Sequence, residues 1–201
     1  MTDVLPPTPE GIARATELLR AGAVVAFPTD TVYGVAVDGT RPDLLGALFE
    51  LKRRPLDRRI PMLVMDLEQA LAAGWEVDER ARALADRFWP GALTLVLPGG
   101  QGSQAFRAPD HPVALALIRA AGPLYATSAN LSEQPDTLGA DEVLIAFAID
   151  QDGLAAVVDG GAVPGGVAST VIDLTATPAK ILREGPISAS ALAEVVDLGR
   201  G

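Results

Sequence analysis

The stretch "FPTDTVYGVAVDGT", residues 27–40, begins where the apolar run "AVVAFP", residues 23–28, comes to an end. The apolar run predicts a buried strand. The Thr-Asp-Thr that follows predicts a turn, because Asp and Thr side chains form hydrogen bonds with nearby backbone groups. In α/β sheets, ligands bind where loops leave the ends of strands. A polar turn in this place is therefore either an ordinary turn or one wall of a binding site.

Outward from this stretch, helical and strand patterns alternate along the chain. We predict helices over 8–22, 41–52, 66–74, 78–88, 111–122, 140–149 and 188–198. We predict strands over 23–28, 60–65, 92–99, 155–161, 169–175 and 180–185, and a strand that runs into a loop over 123–130. The alternation indicates an α/β fold, and the sheet should be mixed because several strands follow one another without a helix.

Composition narrows the possible classes of protein. A chain of 201 residues fits one domain, with a core over about 9–187 and the closing helix at 188–198. The absence of cysteine excludes disulfides and thiolate catalysis, and the single histidine, His111, excludes a multi-histidine metal site, so we expect no protein-held metal. We interpret His111 as a helix-start or surface residue. No signal-peptide pattern or long apolar run is present, so we expect a cytoplasmic protein without a membrane partner.

The charge distribution is uneven. The net charge is −10 and the isoelectric point is about 4.5, which argues against general binding of nucleic acid. Yet "KRRPLDRR", residues 52–59, holds five of the sixteen Lys and Arg residues. Such a patch suits an anionic small molecule, although it could equally be a solvated turn.

Further polar clusters lie where strands or helices end. They are "PTDT" (28–31), "KRRP" (52–55), "TSAN" (127–130), "ASTVID" (168–173) and "LREG" (182–185). Each alone has an ordinary explanation as a turn, a helix end or a surface arginine. Together, Lys52, Arg54, Arg107 and Arg183 form a cationic set for a polyanion beside hydroxyl and amide groups. Because both G-x-x-x-x-G-K-[ST] and G-x-G-x-x-G are absent, the residues predict a nucleotide or other phosphate ligand held without a P-loop.

The order of the motifs resembles that of the threonylcarbamoyl-AMP synthase family, the YrdC-like domain proteins. The resemblance covers about residues 9–187 and rests on "FPTDTVYG", "KRRP", "FWPGALTLVL", "FRAPDHP", "TSANLS", "ASTVID" and "ILREG". It implies a twisted mixed sheet flanked by helices around a large concave cavity, as a single YrdC-like domain over 1–201. It also implies the condensation of L-threonine, bicarbonate and ATP, with Mg²⁺, to threonylcarbamoyl-AMP and pyrophosphate, without a permanently bound cofactor. The further partners implied are tRNA and the enzyme that transfers the threonylcarbamoyl group.

The same resemblance implies roles for individual residues. Lys52 and Arg54 would be catalytic. The nucleotide contacts would be Lys52, Arg54, Arg58, Ser103, Ser128, Asn130 and Arg183, and the amino-acid substrate would be bound by Thr31, Arg107, Thr127 and Ser169. Among the departures from the family pattern, many relatives carry a histidine in place of Met65 and a glycine in place of Glu133.

Two alternatives stay open at this stage. One is a YrdC-like RNA-binding module without adenylation activity, against which the net charge of −10 counts. The other is a carbamoyl-adenylate activity on a different acceptor, as in the YrdC-like domains of hydrogenase-maturation proteins. The sequence does not identify a general base for the proton of the threonine amino group.

Overall fold

The computed structural model describes residues 2–53, 60–132, 134–148 and 153–199. The strands in these ranges are β1 (Asp3–Leu5), β2 (Val24–Pro28), β3 (Tyr33–Asp38), β4 (Met62–Leu63), β5 (Leu93–Gly99), β6 (Gly102–Arg107), β7 (Leu124–Ser128), β8 (Leu154–Val158), β9 (Thr170–Asp173) and β10 (Lys180–Arg183). The helices are α1 (Pro9–Arg20), α2 (Leu45–Lys52), α3 (Leu67–Ala72), α4 (Glu79–Phe88), α5 (Pro112–Ala121), α6 (Ala140–Ala146) and α7 (Ala189–Ala193), and a 3-10 turn covers Pro42–Leu44.

Side-chain caps set the starts of several helices. The hydroxyl group of Thr8 accepts a hydrogen bond from the backbone of Gly11 at the start of α1, and the carboxylate of Asp78 accepts one from Ala81 at the start of α4. The imidazole of His111 caps α5, which confirms its interpretation as a helix-start residue. None of the helices in the described ranges combines the length and the apolar character that a membrane span requires.

The ten strands form one sheet in the order β1-β8-β2-β3-β7-β4-β6-β5-β9-β10. Four neighbouring pairs are parallel: β1 with β8, β8 with β2, β4 with β6, and β5 with β9. The other five pairs are antiparallel. Helices flank the sheet, so the predicted fold class, a mixed α/β sheet flanked by helices, is confirmed.

The first half of the sheet, β1, β8, β2, β3 and β7, is covered on both faces. Successive residues of a strand point to opposite faces. Val24 and Ala26 of β2 pack with residues of α2 and α6, whereas Val25 and Phe27 pack with residues of α1 and α5. Because both faces are buried, β2 is an unbroken apolar run rather than an alternating one.

The second half, β4, β6, β5, β9 and β10, has its main apolar cluster on one face. Leu93, Leu95 and Leu97 of β5 pack there with residues of α3, α4 and α7. The alternation along the strands sends Thr94 of β5 and Arg107 of β6 to the other face. That face of the second half therefore carries the polar side chains that form the candidate site.

The structure differs from the predicted elements in several places, and the strand predicted over 60–65 is reduced to Met62–Leu63. Strands β1, β3 and β6 were not predicted, and each is short or close to a turn rich in glycine or polar residues. The closing helix predicted over 188–198 is wrong in length, since α7 ends at Ala193. The chain turns over residues 194–196 and then forms a bridge between Leu198 and Ala179, in which Ala179 donates a backbone hydrogen bond to Asp197 and accepts one from Gly199.

Two glycine substitutions test this packing in opposite directions. A Cβ atom at Gly46, inside α2, would meet no atom within 4 Å, so Gly46→Ala should stabilise the fold by about 0.5–1 kcal/mol through helix propensity. A Cβ atom at Gly39 would lie 2.5 Å from the carbonyl oxygen of Pro123, so Gly39→Ala should destabilise the fold by about 1–3 kcal/mol. Urea unfolding of both variants measures the difference, and equal midpoints would contradict the described packing.

Candidate active site

The turn between β2 and β3 is organised by the hydroxyl group of Thr29. Its Oγ1 accepts hydrogen bonds from the backbone N–H groups of Thr31 and Val32, at 3.2 and 3.3 Å, and donates to the carbonyl oxygen of Val32 at 2.7 Å. Thr29 Oγ1 also lies 3.1 Å from Thr31 Oγ1, a contact in which either hydroxyl group could be the donor, and Thr31 Oγ1 keeps an acceptor lone pair in both cases. The predicted turn is thus closed by its own side chains, and Thr31 Oγ1 is left as an acceptor.

The guanidinium group of Arg107 donates a hydrogen bond to Thr31 Oγ1. Nη1 donates to Thr31 Oγ1 at 2.9 Å, Nη2 donates to the Asp30 carboxylate at 2.5 Å, and Nε donates to the carbonyl oxygen of Gly91 at 2.9 Å. Burial lowers the pKa of Arg107, and the Asp30 carboxylate opposes that shift. The group is still a cation at neutral pH, because the ordinary pKa of arginine lies far above 7.

These contacts require a strongly curled sheet. Arg107 is in register with Leu63, Leu124 and Asp38 across β4, β7 and β3. In a flat sheet, Arg107 and the turn before Tyr33 would be separated by about 14 Å across the strands and about 17 Å along them, so by roughly 20 Å. A right-handed twist of about 20–25° per strand accumulates over this span and turns the second half against the first.

A second group of polar side chains, formed by Thr94, Ser169 and Arg183, belongs to the second half of the sheet. Ser169 Oγ contacts Thr94 Oγ1 at 2.8 Å, and Arg183 donates from Nε to the carbonyl oxygen of Ser169 at 2.9 Å and from Nη2 to its Oγ at 3.2 Å. Burial lowers the pKa of Arg183, and the negative charge of Asp136 opposes the shift. The positive charge of Arg183 also acts on Arg107, so the two arginines are electrostatic neighbours.

The ammonium group of Lys52 forms the third part of the site. Lys52 is the last residue of α2 and is 3% exposed. Its Nζ donates to the carbonyl oxygen of Ser128 at 2.5 Å, to Ser128 Oγ at 3.3 Å and to Asn130 Oδ1 at 2.9 Å. The backbone of Ala129 donates to the carbonyl oxygen of Tyr33, which places this cluster beside the β2–β3 turn.

A glycine-containing loop, residues 159–169, closes over the same turn. The backbone N–H of Gly166 donates to the carbonyl oxygen of Thr31 at 3.0 Å. A Cβ atom at Gly165 would lie 1.7 Å from that oxygen, and Gly166 has a φ of +93°, so both positions require glycine. The loop continues into Ser169, and it therefore links the turn of the first half to the arginines of the second.

The structure brings most of the predicted site residues into three hydrogen-bonded groups. Thr31 and Arg107 are bonded directly, Ser169 is bonded to Arg183, and Lys52 is bonded to Ser128 and Asn130. Thr127 lies on β7 in register with Val35, and Ser103 lies on β6 four residues before Arg107, so on the same face of that strand. The predicted residues Arg54 and Arg58, and the departure at Glu133, lie outside the described residues.

The sequence did not single out three residues that hold the site together. Asp30 binds Arg107, Thr94 contacts Ser169, and Asp136 acts on Arg183. Asp30 is part of the Thr-Asp-Thr turn from which the sequence analysis began, but its partner Arg107 is 77 residues away in the sequence. The side chain of Met65 packs with the apolar cluster around α1 and α5. The described residues contain no group of three or more His, Asp and Glu side chains that could hold a metal ion.

Comparison with known proteins agrees with this architecture. The family model Sua5/YciO/YrdC, described as "Telomere recombination", matches residues 17–185. The chain therefore belongs to the Sua5/YciO/YrdC family, as the motif order predicted. A protein of Bacillus subtilis (strain 168) named "Threonylcarbamoyl-AMP synthase" is 40% identical over 209 residues, which cover 98% of this chain and 59% of the relative.

Two more relatives differ in length. A protein of Mycobacterium tuberculosis (strain ATCC 25618 / H37Rv) is 34% identical over 92% of this chain and 89% of its own length. The structure of Pyrococcus abyssi Sua5 complexed with L-threonine superposes with a TM-score of 0.90 at 33% identity, covering 99% of this chain and 62% of that one. The chain thus spans about 60% of the B. subtilis and P. abyssi relatives.

The role of Thr29 is tested by substituting it with the isosteric valine. Thr29→Val removes the acceptor for two buried backbone N–H groups, so it should lower the free energy of unfolding by about 2–3 kcal/mol. Thr16→Val is the matched control, because the buried hydroxyl of Thr16 only donates to the Ile12 carbonyl within α1. Its effect should stay below about 1 kcal/mol. Equal losses in urea unfolding would show that Thr29 does not organise the turn.

Proposed function

We propose that this chain catalyses the condensation of L-threonine, bicarbonate and ATP to threonylcarbamoyl-AMP and pyrophosphate. The observation that carries the proposal is the meeting of Arg107 and the β2–β3 turn beside the buried Lys52 cluster. This arrangement offers one cation for an amino-acid carboxylate and another for phosphate. The relatives named threonylcarbamoyl-AMP synthase, and the Sua5 complex with L-threonine, support the same assignment. We propose further that residues 1–201 belong to one YrdC-like catalytic domain, with its core over about 9–187.

The amino acid would bind at Arg107 and Thr31. Within the part of the chain that the structure describes, three of the five N–H groups of Arg107 have acceptors, and one N–H on each terminal nitrogen is left for a carboxylate. A guanidinium group suits a carboxylate because it can donate two parallel hydrogen bonds. Thr127 and Ser169 are the further amino-acid contacts that we propose.

The nucleotide would bind on the Lys52 side, with ATP entering as its Mg²⁺ complex. Lys52 is proposed to neutralise phosphate charge together with Arg54, Arg58 and Arg183, and Ser103, Ser128 and Asn130 to contact the nucleotide. Lys52 now donates to Ser128 and Asn130, so a phosphate oxygen would replace one of these acceptors. A buried ammonium group is an effective phosphate partner, because electrostatic interactions strengthen where water is excluded.

The reaction needs positioned substrates rather than a protein nucleophile. The nitrogen of L-threonine, once the ammonium group has lost a proton, attacks the carbon of CO2 and releases a second proton to solvent, or attacks the carbon of bicarbonate with loss of water; either route forms a carbamate. A carbamate oxygen then attacks the α-phosphorus of ATP, and pyrophosphate leaves. Holding both substrates in one site removes the entropic cost of their encounter, and exclusion of water protects the short-lived carbamate. Lys52 and Arg54 are the proposed catalytic residues because charge accumulates at the phosphates.

The product would serve tRNA modification, with tRNA and the transferring enzyme as later partners. The net charge of −10 favours a small-molecule site over the alternative of an RNA-binding module without catalysis. Anionic substrates bound at a local cationic cluster would account for the buried cations Lys52 and Arg107 in an otherwise acidic protein. The proposal includes a cytoplasmic location, where ATP and tRNA are found.

The direct test is pyrophosphate release by this chain with ATP and Mg²⁺. We expect release that requires both L-threonine and bicarbonate, with L-serine as the control amino acid. Lys52→Met should reduce the rate at least about 100-fold, because it removes the cation from the phosphate site. Release without threonine, or none with ATP bound, would contradict the proposal. If the chain were only an RNA-binding module, Lys52→Met would instead weaken RNA binding in a graded, salt-dependent manner.

A further inference from the structure

The carboxylate of Asp30 is a charged group at the site to which the proposed reaction assigns no role. It lies within the β2–β3 turn, and its side chain is 16% exposed, beside an Arg107 side chain that is 9% exposed. Oδ1 of Asp30 accepts from Arg107 Nη2 at 2.5 Å and from the backbone N–H of Asp110 at 3.1 Å. These two bonds fix the orientation of the carboxylate relative to the guanidinium group.

The pair has hydrogen-bonding capacity left on both members. Both bonds of Asp30 in the described residues go to Oδ1, so Oδ2 is an acceptor without a partner there. Arg107 keeps one N–H on each terminal nitrogen, as described above. The nearby imidazole of His111 does not compete as a cation at neutral pH, because burial lowers its pKa and the Asp30 and Asp110 charges only oppose that shift.

An α-amino acid carries the complementary pair of charges. Its ammonium and carboxylate groups are attached to one carbon atom and therefore lie side by side, as the Asp30 carboxylate and the Arg107 guanidinium do. We propose that the Asp30–Arg107 pair binds the substrate as a zwitterion, with Arg107 donating to its carboxylate and Asp30 Oδ2 accepting from its ammonium group. The inference rests on the proposed function and adds Asp30 as the residue that distinguishes amino acids from hydroxy acids.

The surroundings favour this use of the pair. Charge-assisted hydrogen bonds are roughly twice as strong as neutral ones, and partial burial limits screening by water. The bonds to Gly91, Thr31 and Asp110 hold both side chains in place before a ligand arrives, which lowers the entropic cost of binding. The contact serves binding, since the substrate nitrogen reacts only after it loses a proton and its attraction to a carboxylate weakens.

The test compares two ligands that differ in the amino group. Dissociation constants for L-threonine and for 3-hydroxybutanoate, which lacks that group, are measured by calorimetric titration, with competition for the weaker ligand. The unsubstituted protein should bind L-threonine at least about tenfold more tightly than 3-hydroxybutanoate. Equal affinities would overturn the inference without any variant, whereas failure to bind L-threonine at all, with ATP still bound, would instead overturn the proposed function.

Asp30→Asn gives the second arm, because it keeps the shape and the Oδ1 acceptor and removes the charge. We expect the preference for L-threonine over 3-hydroxybutanoate to fall to about one- to threefold, with ATP affinity unchanged. A purely structural role would weaken both ligands equally and leave the preference intact, which would contradict the inference. The matched control is Asp86→Asn, which removes the same charge from an exposed position of α4, the helix that packs on the apolar face of the second half, and should retain the preference.

Discussion

The contact between Arg107 and the β2–β3 turn is the interaction on which the rest of the site depends. It joins side chains that the strand register would hold roughly 20 Å apart in a flat sheet. A nearly buried guanidinium group is costly to desolvate, and three internal acceptors offset that cost. Removing Asp30 or Thr31 would leave the buried Arg107 cation without one of its acceptors. The curled sheet therefore supplies the acceptors that Arg107 needs, and the hydrogen bonds of Arg107 in turn stabilise the curled sheet.

The unequal covering of the sheet follows from this curl. Helices cover both faces of the first half, and β2 is apolar throughout because its side chains are buried on both faces. The second half turns one face toward the first, and side chains such as Thr94 and Arg107 occupy it instead of an apolar layer. The loop that carries Gly165 and Gly166 fits between the halves only because glycine lets its backbone approach Thr31. Binding groups of both halves thus meet at one site.

Local patterns were enough to predict the class of fold and many of the polar residues that the structure brings together. The helices predicted over 8–22 and 78–88 begin at Thr8 and Asp78, which cap them, and the motifs pointed to Lys52, Ser128, Asn130 and Arg107. The role of Asp30 could not be predicted, because its partner depends on the register and twist of the strands between them. Strand β6 was not predicted because a glycine turn and polar residues conceal its alternation. The end of α7 was placed too late because the hydrogen bonds of Ala179 to the chain beyond α7 cannot be read from the local pattern.

The central claim, that a curled sheet brings Arg107 against the β2–β3 turn, is most directly tested by a double-mutant cycle in urea unfolding. The variants are Asp30→Asn, Arg107→Gln and the double substitution. A direct, largely buried contact predicts a coupling free energy of about 1–3 kcal/mol, with the double variant less destabilised than the sum of the single ones. Additive losses, within about 0.5 kcal/mol, would mean that the two side chains do not interact and that the halves of the sheet are not joined at this point.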